Sequence, residues 1–115
     1  MSVRIYHNPR CSKSRQTLKL LRSRGLEPEV IEYLKTPPDD EELRDLARML
    51  GCSPMDMVRR GEPEFRESGL QQAVPGDDDV IGAIRKYPKL LQRPIVVSGG
   101  RAAIGRPPEA VLEIL

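Results

Sequence analysis

The chain of 115 residues has no tryptophan, one phenylalanine, one histidine and two cysteines. Each scarcity excludes something. Two cysteines cannot staple a secreted disulfide scaffold, and no secretory signal pattern precedes them. The expected compartment is therefore cytoplasmic, where thiols are held reduced and a conspicuous one is more often catalytic. One histidine and two distant cysteines make a poor ligand set for zinc, which takes three or four protein ligands, so no metal is expected. No apolar run approaches the roughly 18 to 20 residues of a membrane helix. Base-stacking aromatics are nearly absent and acids dominate residues 39–42 and 77–79, which argues against direct nucleic-acid binding. No repeat or low-complexity linker divides the chain, and its length fits a single domain over residues 1–115. A monomer is the default expectation.

A further absence is local. Residues 1–26 hold seven Lys or Arg and no Asp or Glu, the first acid being Glu27, although the whole chain has a formal charge of only +2. Such a segment could imitate a transit peptide, but it shows a strand pattern, a proline break and a turn instead of one amphipathic helix. It is read as part of the fold, presenting a face that attracts anions.

The local patterns give an element order. Residues 3–6 alternate apolar and polar, as a short strand does. Asn8-Pro9 breaks it. Residues 12–24 are good helix formers stopped by Gly25. Residues 29–34, with β-branched Val30 and Ile31, predict a second strand, and the crossover favours a parallel pair. Prolines, caps and acids from Thr36 onward begin a helical block that extends to about residue 90, with no strand signal. Pro94 to Ser98, Gly99-Gly100 and Arg101 to Ile104 predict a β-hairpin, and a final helix follows Gly105. The order is β-α-β, helices, then β-β-α. That is the order of a thioredoxin-like α/β domain with a mixed β-sheet and a helical insertion at about residues 36–90.

Within this order Cys11 falls between the first strand and the first helix. Free backbone N–H groups and the positive end of the helix dipole converge there, which favours an anion and a thiolate over a thiol. His7, Arg10, Lys13 and Arg15 surround it in sequence, and Ser12 or Ser14 could offer a hydroxyl to the sulfur. Cys11-Ser-Lys-Ser14 lacks the second thiol of a Cys-x-x-Cys pair, so any oxidised product at Cys11 must be resolved by another thiol. Cys52 is the sole internal candidate, and packing is the preferred reading for it.

Several blocks taken together resemble the glutaredoxin-coupled arsenate reductases of bacteria, a branch of the thioredoxin superfamily. They are Tyr6-His7-Asn8-Pro9-x-Cys11-x-x-Ser14-Arg15, Tyr33-Leu34-x-Thr36-Pro37-Pro38, Val58-Arg59, Arg93-Pro94-Ile95-Val96 and Gly105-Arg106-Pro107. The resemblance spans nearly the whole chain. It implies that Cys11 is the nucleophile, with His7, Ser14 and Arg15 supporting the thiolate, and that Arg59, Arg93 and Arg106 bind the oxyanion. Arg59 is preferred to Arg60 because it follows Val58 in the family pattern. A cis Arg93-Pro94 bond is also implied. The expected reaction is reduction of arsenate to arsenite through a covalent Cys11 adduct. Glutathione would serve as co-substrate and glutaredoxin as partner, with no bound cofactor. Two alternatives use the same thiol: reduction of glutathione mixed disulfides, and a redox stress regulator that binds RNA polymerase. Ser14 in place of a second cysteine argues against the regulator's disulfide switch.

Overall fold

The computed structural model describes residues 2–71 and 74–115. Four strands form one sheet in the order β2-β1-β3-β4, with β1 at Val3–Tyr6, β2 at Glu29–Ile31, β3 at Ile95–Ser98 and β4 at Arg101–Ile104. β1 and β2 are parallel, Ile5 facing Val30, and the other pairs are antiparallel. The sheet is therefore mixed, as the sequence predicts. The right-handed twist of strands makes a helical crossover the natural link between β1 and β2, and helix α1 (Ser12–Ser23) supplies it. Gly99 and Gly100, both at positive φ, close the β3–β4 hairpin. Two residues at positive φ are what a tight hairpin turn of this kind requires.

By internal packing the chain divides into two units, residues 1–36 with 93–115, and residues 37–92. The first holds the sheet, α1 and a 3-10 helix at Pro108–Ile114. Its core is built from Val3 and Ile5 of β1, Leu21 of α1, Val96 of β3, and Val111 and Ile114 of the 3-10 helix. The fold is thioredoxin-like α/β.

The second unit contains α2 (Asp40–Leu50), α3 (Pro63–Ser68), α4 (Asp77–Lys86) and short 3-10 turns at Pro54–Met57 and Pro88–Leu90. Asp39 caps α2, accepting a hydrogen bond from the Glu42 amide at 2.8 Å, and Gly51 ends it at φ 71°. Leu43, Leu46, Met57, Ile81, Ile84, Leu90 and Leu91 are the largest of its fully buried side chains among the described residues. One isolated antiparallel bridge, Val58 to Leu91, crosses this otherwise helical unit.

Three local expectations differ from the structure. The second strand ends at Ile31, because the amides of Lys35 and Thr36 both donate to the Glu32 carbonyl and wind the chain into a turn. The segment after Ser53 and the C-terminal segment are 3-10 helices, tighter than the α-helices their patterns predict. The Arg93-Pro94 bond is cis, as the resemblance implies, and Arg106-Pro107 is cis as well, which no sequence feature indicated.

Gly105 links β4 to the arginine that follows. Its amide donates to the Pro94 carbonyl at 2.9 Å, and a Cβ there would lie 2.6 Å from Thr17 Oγ1 and 2.7 Å from Pro94 Cγ. Thr17 is buried and its hydroxyl already donates to the Lys13 carbonyl, so neither neighbour can yield easily. Gly105→Ala is expected to cost about 1–3 kcal/mol through overpacking, read as a lower midpoint in urea denaturation. An unchanged midpoint would show that the loop relaxes freely.

Candidate active site

The site begins where β1 ends. The His7 amide donates to the Ile31 carbonyl at 2.8 Å, which carries the parallel ladder one residue beyond the strand. The chain then reverses over Asn8, Pro9 and Arg10. The Arg10 amide donates to Asn8 Oδ1 at 3.0 Å and the Cys11 amide to the Asn8 carbonyl at 3.0 Å. This is the side-chain turn that asparagine favours. Cys11 is the N-cap of α1 with extended backbone (φ −92°, ψ 122°), and its carbonyl accepts the first helical bond from Arg15 at 3.0 Å.

Beneath the turn lies a buried polar network. The Asn8 amide donates to Ser14 Oγ at 3.0 Å, and Ser14 Oγ lies 2.6 Å from His7 Nδ1. Burial lowers the His7 pKa, helped by the charges of Arg22 and Arg15, while Glu32 opposes the shift. A neutral imidazole follows. Ser14 Oγ accepts from Asn8 with one lone pair and shares a single hydrogen with Nδ1, the direction following the imidazole tautomer. The lowered pKa means that the unfolded chain takes up the proton first, so stability falls as pH drops below about 6.5.

Four groups act on the Cys11 sulfur against the cost of its partial burial. Burial is the largest influence and raises the thiol pKa. The backbone N–H groups of Ser14 and Lys13, the Arg106 charge and a hydrogen bond from the Arg93 side chain together outweigh it, and the net shift is downward. Arg106 Nη2 stands 3.4 Å from Sγ while its Nε donates to the Arg93 carbonyl at 2.8 Å. That second bond fixes the guanidinium beside the sulfur. Cys52 differs: burial and then Asp56 both push its pKa up.

The sequence-predicted residues are thus placed as follows. Cys11, Arg93 and Arg106 come together directly. Ser14 reaches the sulfur through its backbone N–H, while its hydroxyl turns to His7. Arg15 Nη1 donates to the Pro9 carbonyl at 2.9 Å, holding the turn closed. Arg59 belongs to residues 37–92, where its amide donates to the Leu90 carbonyl at 2.6 Å and its Nε lies 3.4 Å from Glu62 Oε1. Two members escaped the reading of the sequence. Asn8 organises the turn through both its amide and its side chain. Tyr33, fully buried, places its hydroxyl near Asn8 and Arg93. Asn8-Pro9 was a visible turn signal, whereas nothing around Tyr33 distinguishes it from a core aromatic. Among the described residues no group of three or more His, Cys, Asp or Glu is placed to hold a metal ion.

Residues 6–114 match the ArsC family. The chain belongs to that family. It is 46% identical to an arsenate reductase of Neisseria meningitidis serogroup A over 98% of this chain and 97% of the relative. It is 52% identical to the uncharacterized protein YfgD of Escherichia coli K12, over 98% and 96% of the two chains. Among solved structures, an arsenate reductase from Vibrio cholerae superposes with a TM-score of 0.96 at 51% identity, covering 100% of this chain and 98% of that one.

The opposite shifts of the two thiols predict unequal alkylation. Iodoacetamide at pH 7, followed by peptide mapping, is expected to modify Cys11 about tenfold or more faster than Cys52. A lowered pKa sustains reactivity to lower pH, and it is lost only as pH falls through that value. Arg106→Gln should move the Cys11 rate profile to higher pH, with the rates converging in alkali. Superimposable profiles would remove Arg106 from the thiolate's support.

Proposed function

We propose that this chain is a cytoplasmic thiol-dependent arsenate reductase in which Cys11 is the nucleophile. The observation that carries the reading is the Arg106 guanidinium held 3.4 Å from a thiol at a helix N-terminus, with Arg93 beside it. A thiolate there is both stabilised and reactive. The same donors suit a tetrahedral oxyanion, because planar guanidinium groups and helix N–H groups bind such oxygens with directed, charge-assisted bonds. The likeness to proteins named arsenate reductase supplies the substrate.

In this proposal arsenate docks on Arg93, Arg106 and the α1 N-terminus. Cys11 Sγ attacks arsenic, an arsenic–oxygen bond breaks, and the departing hydroxide takes up a proton as water. The arginines neutralise the oxygens as charge redistributes. Glutathione then attacks arsenic and displaces a second hydroxide, which also leaves as water. The thiol of glutaredoxin removes the glutathionyl sulfur as a mixed disulfide, leaving the arsenic–sulfur electron pair on arsenic. The two thiols so joined supply the two electrons that reduce As(V) to As(III). Hydrolysis of the remaining sulfur–arsenic bond frees arsenite and restores Cys11. Neither Cys52 nor a bound cofactor takes part. The family pattern assigns a third arginine, Arg59, to the oxyanion, and that assignment rests on the Val58-Arg59 motif.

Arsenite formation by the purified chain with glutathione and glutaredoxin tests the reading. Cys11→Ser is expected to abolish turnover, and Arg93→Lys to lower kcat/KM by about tenfold or more through loss of the forked hydrogen bonds. Turnover that survives in Cys11→Ser would overturn the mechanism. Absence of arsenite formation in the wild type, with Cys11 still rapidly alkylated, would reassign the site to another thiol reaction.

A further inference from the structure

Tyr33 lies just beyond β2, in the turn that cuts that strand short, and its side chain is fully buried. Its hydroxyl makes no hydrogen bond of normal geometry. A buried hydroxyl without an acceptor is costly and uncommon in a folded protein. Its neighbours explain what is missing. Asn8 and Arg93 both act on the phenolic oxygen as donors, and the Cys11 charge is within electrostatic reach. Asn8 and Arg93 belong to the thiol site themselves, the one forming its turn and the other bonding to the sulfur. The oxygen of Tyr33 therefore faces donors, while its own O–H hydrogen lacks an acceptor.

We propose that the Tyr33 hydroxyl is a ligand of the oxyanion, donating its hydrogen to an oxygen of the tetrahedral anion held beside Cys11. This deepens the arsenate reading and rests on it. Burial keeps the phenol protonated well into alkaline pH, so the donor is present throughout the physiological range. Unlike the arginines, it adds a directed bond without adding positive charge. It is thereby able to sort substrates by structure. An arsenate oxygen sits one bond from the atom that Cys11 attacks and can accept the hydrogen. A disulfide has sulfur and carbon at the corresponding place and cannot. Tyr33 would favour oxyanion attack over reaction with a glutathione disulfide, the two chemistries open to the same thiol.

Tyr33→Phe removes the oxygen and keeps the ring, so the buried volume is preserved. The first measurement is protection of Cys11 from iodoacetamide by arsenate, with inorganic phosphate as a second, non-reducible anion. The second is the rate at which Cys11 reacts with oxidised glutathione. Protection constants in Tyr33→Phe are expected to weaken by about tenfold or more. Alkylation without anion, the rate with oxidised glutathione and Tm should stay within about twofold or a few degrees of wild type. A structural defect would move all of these together. Equal protection of the two proteins would overturn the role of Tyr33 and leave the arsenate reading standing. Failure of both anions to protect even the wild-type thiol would overturn that reading and the ligand with it.

Discussion

The 2.6 Å contact between Ser14 Oγ and His7 Nδ1 is the constraint on which the site depends. It joins the last residue of the strand ladder to the first turn of α1, across seven residues that include the thiol. Together with the Asn8 amide it closes the β1–α1 junction from within, where water cannot compete. Buried networks of this kind fix geometry when every member has its partner. Here the serine oxygen accepts from Asn8 and shares one hydrogen with a neutral histidine. A charged imidazole would fix Nδ1 as the donor, so that the hydroxyl would accept twice and its own hydrogen would lose Nδ1 as an acceptor. The low pKa of His7 and the shape of the turn are two aspects of one arrangement.

That junction sets the balance at Cys11. Partial burial alone would push the thiol pKa up, as burial together with Asp56 does for Cys52. Backbone N–H groups reverse the outcome, and they do so only because the turn holds the sulfur at the head of α1. The two arginines contribute through the opposite edge of the unit. Arg93 enters at the start of β3 and Arg106 just after β4, so a hairpin distant in sequence delivers both to the strand–helix junction. Gly105 allows the close approach that brings Arg106 in.

The elements legible in the sequence were those whose cause is local. Val3–Tyr6, the helix stopped at Gly25 and the Gly99-Gly100 hairpin carry period, cap and turn signals within a few residues, and the structure forms them there. The strand at Glu29 was overextended because β-branched residues continue the pattern while the Glu32 carbonyl captures two later amides. The 3-10 geometry of the last segment belongs to packing of Val111 and Ile114 into the core, which periodicity cannot resolve. Cys11 was legible from the strand–helix position and its basic neighbours. Arg93 and Arg106 were singled out by resemblance to a family, since two arginines among many have no local signature. Tyr33 was missed as a participant for the same physical reason: a buried tyrosine earns its meaning from what surrounds its hydroxyl.

The excess of positive charge around one thiol also has an explanation on the scale of the unit. Residues 1–36 and 93–115 carry eleven Lys or Arg against five Asp or Glu, and residues 37–92 carry eight against twelve. A total of +2 conceals this division. The acids of residues 37–92 have work of their own, capping α2 and α4 and pairing with Arg44 and Arg48. The basic groups in and beside α1 are different in kind. Among the described residues, Arg10, Lys13, Arg15, Lys19, Arg22 and Arg24 form no salt bridge with a carboxylate. Charges left uncompensated along and beside one helix repel one another and contribute little to stability. What they do produce is a field, which raises the local concentration of anions near the sulfur and falls off over about 10 Å at ordinary salt. Arg93 and Arg106 act on the thiol through their side chains; the basic segment before Glu27 acts on whatever approaches it.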